Sequence, residues 1–112
     1  MNIIVRGSKI DLTPPIKTFV EQKLTTLEKN IPIRARSTAE CRVEIGRPSR
    51  HHRSGPVYYA EVNLAIGSKL YRAVSEHEDV RAAIDVVRDD VVRQLRREKT
   101  KRESARRTVA RN

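Results

Sequence analysis

Between Ala39 and Ile66 the apolar residues change their spacing, and that change limits what the chain can build. Ala39, Cys41, Val43 and Ile45 alternate with Glu40, Arg42 and Glu44; Tyr58, Ala60, Val62, Leu64 and Ile66 alternate with Tyr59, Glu61, Asn63 and Ala65. A period of two sends alternate side chains to opposite faces, so both segments predict half-buried strands. On either side the period lengthens to three and four. Ile16, Phe19, Val20, Lys23, Leu24 and Leu27 follow one helical stripe, and Val80, Ala83, Ile84, Val87, Val91 and Leu95 follow another. Each stripe predicts a helix with one apolar face.

Turn residues set the boundaries. Residues 3–6 read as a short strand closed by Gly7. Thr13 can cap the first helix, with Pro14 and Pro15 where a missing N–H is harmless, and Asn30 and Pro32 stop it. Residues 46–56 form a turn-rich, basic hairpin loop, and Gly67-Ser68 a tight turn into a strand over 69–75. In that strand Leu70 with Val74, or Tyr71 with Ala73, can face the core. The second helix is expected over 79–102, about 36 Å long at ~1.5 Å per residue. The order is β-α-β-β-β-α. It predicts an α+β fold, a four-stranded mixed sheet with two helices packed on one face, whose first two strands are parallel across the crossover. The other sheet face, with Glu40, Arg42, Glu44 and Glu61, is expected to stay wet. One domain over 1–103 is expected, followed by a basic tail, 104–112, with no apolar pattern and no order of its own.

Charge then narrows the function. The 112 residues hold 24 Lys and Arg against 14 Asp and Glu, a formal net charge of +10. Residues 93–112 carry nine bases against Glu98 and Glu103, or +7, whereas 76–90 carry six acids against Arg81 and Arg88, or −4. Acids at the start of a helix and bases at its end complement the helix dipole, but two or three cations would suffice for that. The excess points to a polyanion, with a phosphate-contacting surface at the helix end. Arg93, Arg97 and Lys101 recur every fourth residue, and Arg96, Lys99 and Arg102 fill neighbouring rows. Lys17 and Lys23 can lay their stems along the first helix and add cations at its edge. Arg50 and Arg53, with Arg47, His51 and His52, make a second basic patch at the hairpin tip.

Other chemistries find little support. No apolar run approaches the ~18–20 residues of a membrane span, and residues 1–6 do not read as an export signal. One cysteine cannot form an internal disulfide, which suits a reducing compartment, the cytoplasm. His51, His52, His77 and Cys41 match no zinc-module spacing, and Cys41 sits among apolar strand positions as a small core residue. Asp85, Asp89 and Asp90 read as a solvated helix face. The glycines at 7, 46, 55 and 67 make no phosphate-cradling loop. No enzyme activity, cofactor, metal or small-molecule substrate is expected.

Asp79-Val80-Arg81-Ala82-Ala83-Ile84-Asp85, followed by Arg93-Gln94-Leu95-Arg96-Arg97-Glu98-Lys99-Thr100-Lys101, resembles the last helix of the ribosome hibernation-promoting factor and ribosome-associated inhibitor family. There the pattern is approximately D-M-Y-A-A-I-D and then a Q-L-(K/R)-rich end. Val80 and Arg81 depart from it. The start with Gly7 and Asp11-Leu12-Thr13, the helix ending near Leu27-Glu28-Lys29, and the strand after His-His-Arg-Ser-Gly extend the resemblance over residues 1–102. It implies a fold like that of double-stranded-RNA-binding domains. It also implies a factor that binds the small ribosomal subunit, its 16S-type rRNA and neighbouring ribosomal proteins, over the decoding region. Such a factor keeps out messenger and transfer RNA during stress or stationary phase. Ending at Asn112, the chain resembles a short member, expected to act as a monomer and not to pair ribosomes by itself. A general structured-RNA-binding module or a resident ribosomal protein would share the same charge pattern.

Overall fold

The computed structural model describes residues 1–48 and 57–111. Strand β1 (Asn2–Ser8) leads into helix α1 (Pro14–Thr25); two 3₁₀ turns, Thr26–Asn30 and Ile33–Ala35, then reach β2 (Glu40–Gly46). β3 (Tyr58–Ile66), β4 (Lys69–His77) and helix α2 (Val80–Arg111) complete the β-α-β-β-β-α order. The sheet runs β1-β2-β3-β4, with β1 parallel to β2 and the remaining neighbours antiparallel.

Register explains the core. Ile3, Cys41, Leu64 and Tyr71 stand side by side across the four strands, and Val5, Val43, Val62 and Ala73 form the next row. Val20 and Leu24 of α1, Leu27 in the following turn, and Ala83, Ile84, Val87, Val91, Val92 and Leu95 of α2 close over these rows in one buried cluster. Both helices therefore cover the same face. Cys41 lies inside that cluster, and burial pushes its thiol up to about 12, so it stays a neutral packing group.

The facing of β4 is decided by its turn. Gly67 adopts φ +59° in the Gly67-Ser68 connection, a conformation that favours glycine. The resulting register aligns Tyr71 with Leu64 and Ala73 with Val62, so Leu70 and Val74 turn outward and are more than half exposed. The outer face is a ladder of paired charges. Arg6 bonds Glu44, Arg42 bonds Glu40 at 2.6 Å, and Arg72 lies 3.4 Å from Glu61. Glu61 also accepts from the Asn63 amide, and the two partners hold its carboxyl below the usual range.

Both helix ends differ in detail from the sequence expectation. Thr13 stands at the N-cap of α1 but its hydroxyl makes no cap; its carbonyl accepts from Lys17 N–H instead. Asp79 does cap α2, with Oδ1 accepting from Arg81 N–H at 2.9 Å. The larger correction is at the other end. α2 continues through Arg111, where an irregular tail was expected from residue 104. No described residue after Leu95 is buried, so packing does not hold this extension. Its Arg, Lys, Glu and Ala residues have high intrinsic helix propensity, which apolar periodicity does not register. At 32 residues α2 is about 48 Å long, and the molecule measures 59 × 28 × 20 Å.

Candidate nucleic-acid interface

The basic cluster is carried by the part of α2 that leaves the core behind. Two contacts fix its orientation. Gln94 Nε2 donates to the Arg72 carbonyl at 2.8 Å, and Lys69 bonds Glu98, tying α2 to the β4 edge. The Lys69 ammonium also holds the Glu98 carboxyl below its ordinary range. With the helix pinned at these points, its cations divide between two flanks. Arg97 and Lys101 line a shallow surface beside Lys69, Leu70 and Tyr71. Arg96, Lys99 and Arg102 face the connection that follows α1. Arg93, exposed, lies 3.9 Å from Asp90.

That connection brings cations that periodicity did not single out. Lys29 and Arg36 line a groove with Arg96, Lys99, Arg102 and Arg106, floored by the buried Ile31 and Leu95. Arg36 is half-buried and its Nε donates to the Ile31 carbonyl at 2.9 Å, so its guanidinium is held in place. In the sequence the only signal for this wall was the basic run Lys29, Arg34, Arg36 beside Pro32, which reads first as a helix stop.

The two lysines of α1 lie elsewhere. α1 and α2 run in the same direction: Arg81 sits 5.3 Å over the Phe19 ring, Lys23 is 3.2 Å from Asp85, and Arg88 Nε donates to Thr26 Oγ1 at 2.9 Å. Lys23 is therefore paired with an acid two turns, about 12 Å, before Arg93. Lys17 is exposed further back along α1. Arg50 and Arg53 lie outside the described residues, as do His51 and His52; Arg47, just before them, stacks 5.0 Å over the Tyr58 ring. His77 Nδ1 accepts from Asp79 N–H, far from the buried Cys41 in role. Among the described residues no three His, Cys, Asp or Glu side chains gather as a metal site would require. No described helix is long and apolar enough to cross a membrane.

The family model described as sigma 54 modulation protein / S30EA ribosomal protein matches residues 3–103. The chain belongs to this family. Among its sigma 54 modulation / S30EA relatives, the ribosome hibernation promotion factor of Deinococcus radiodurans is 33% identical over 97 residues, covering 85% of this chain and 47% of that protein. The ribosome hibernation promoting factor of Pseudomonas putida is 28% identical over 104 residues, 93% of this chain and 92% of its own length. The chain thus spans about half the length of several relatives it matches and nearly all of another. The N-terminal domain of Thermus thermophilus Protein Y superposes with a TM-score of 0.69 at 25% identity, over 87% of this chain and 98% of that domain.

The S30EA match ends at Glu103, so the last turns of α2 extend past it. Within the match, the two departures from the D-M-Y pattern are accommodated. Val80 packs partly buried against the core, and Arg81 covers Phe19 with its guanidinium.

Proposed function

We propose that this chain is a ribosome hibernation factor. It binds the small ribosomal subunit in the channel for messenger and transfer RNA, over the decoding region, and blocks translation by occupying that space. The reading is supported by the cation-dense end of α2 on a domain whose relatives bear that name. Arg93, Arg96, Arg97, Lys99, Lys101 and Arg102 replace counterions along folded rRNA, and Lys17 assists from α1. Lys23, already paired with Asp85, contributes less. Arginine suits the task because its planar fork bonds a phosphate through two N–H groups. The sheet's outer face is a poorer candidate, since its charges neutralise one another. Inhibition is steric: no bond is made or broken, and a single copy acts in the cytoplasm, where ribosomes are.

Reversing the charge of Arg93, Arg96, Arg97 and Lys101 together tests the contacts. All four are exposed, so the fold is expected to survive by circular dichroism while co-sedimentation with the small subunit is lost. Retained co-sedimentation refutes the assignment. Constant stoichiometry on ribosomes through all growth phases would instead indicate a resident ribosomal protein.

A further inference from the structure

The groove between the Lys29–Arg36 connection and α2 joins a dense basic lining to an apolar lip and floor. Ile33 is 79% exposed beside Pro32, and Ile31 and Leu95 lie beneath. A lone exposed isoleucine needs no explanation by itself. This one projects at the rim of a trough with Lys29 and Arg36 on one wall and Arg96, Lys99, Arg102 and Arg106 on the other. Glu103 is its single acidic lining residue. The charge calls for a polyanion, and the apolar rim calls for something flat and unpaired. Arg36 supplies the third element: its bond to the Ile31 carbonyl fixes the guanidinium plane before any ligand arrives.

We propose that this groove takes a single-stranded segment of RNA, with one unstacked base laid on the Arg36 guanidinium and the Pro32–Ile33 lip and the flanking phosphates on Arg96, Lys99 and Arg102. Unstacked bases rest on guanidinium planes and apolar side chains, whereas an A-form duplex keeps its bases stacked and offers phosphates and 2′-hydroxyls. A duplex would meet the cations at the rim but leave the floor empty. The inference rests on the RNA-binding reading above and adds which form of RNA this part of the surface selects.

The test uses the whole chain and three probes: an end-labelled single-stranded RNA of about eight nucleotides, a duplex of equal length, and inorganic polyphosphate as competitor. By fluorescence anisotropy at fixed salt, the single strand is expected to bind about tenfold more tightly than the duplex. Ile33→Ser and Arg36→Lys preserve net charge; each is expected to lower single-strand affinity about tenfold and leave the duplex unchanged. Ile33 is exposed, so Ile33→Ser carries no folding penalty that could imitate the loss. Equal binding of both forms, unchanged affinity in both variants, or displacement by polyphosphate as readily as by unlabelled RNA overturns the proposal. Co-sedimentation of the wild-type chain with the small subunit is measured alongside. Single-strand preference without subunit binding would sink the hibernation reading and leave the groove standing, and the reverse result would do the opposite.

Discussion

At Gly46 the β2 backbone passes beneath Tyr59, its cross-strand partner, whose hydroxyl donates to Glu44 Oε2 at 3.0 Å. A Cβ there would stand 2.4 Å from the Ser8 carbonyl oxygen and 2.9 Å from the tyrosine ring. Backbone on one side and a hydrogen-bonded ring on the other leave little that can yield. Gly46→Ala is expected to destabilise the domain by about 1–3 kcal/mol, read as a lower denaturation midpoint in urea. An unchanged midpoint would mean that the β1–β2 pair relaxes freely. Single residues were legible in the sequence where one local pattern settled them, as with Cys41 among alternating apolar positions. Gly46 was legible only as a turn residue. Its crowding depends on a tyrosine 13 positions later, placed by strand pairing. Arg36 was missed for a similar reason: its value comes from a carbonyl it bonds and a helix it faces, neither visible in its neighbours.

Among the elements, α2 is held by different forces along its length. Asp79 caps its start, the stripe from Val80 to Leu95 packs on the sheet, Glu98 is tied to Lys69, and beyond that its residues rely on helix propensity. Removing the cap with Asp79→Ala is expected to cost about 1 kcal/mol in global stability, measured by chemical denaturation, because an N–H of the first turn loses its acceptor. A cost near zero would mean that water replaces the carboxylate fully. The packed part of α2 could be read directly from its spacing of three and four. The extension could not, because a sequence that is polar all round reads as tail or as helix equally well by apolar pattern. β4 shows a comparable limit. Its two alternations carried similar apolar content, and only the register set by the Gly67-Ser68 turn decided between them.

For the molecule as a whole, the predicted order, strand directions and shared helix face match the observed fold, since each follows from connection lengths and amphipathic faces. What lay beyond the sequence was the meeting of Lys29 and Arg36 with α2, and the distance of Lys23 from that meeting. The difference can be measured. If RNA is held by counterion release at the α2 end, Lys99→Ala is expected to flatten the log–log dependence of binding on salt by about 0.7–0.9, and Lys23→Ala by distinctly less. Equal slopes for the two variants would place the phosphates along both helices alike. The charge gradient along α2 has a further result. Its acids Asp85, Asp89 and Asp90 lie in the first half and its bases crowd toward the finish, so the particle carries a lengthwise electric moment. Near a large polyanion such a body rotates before it touches, and its first collision is made with the basic end forward.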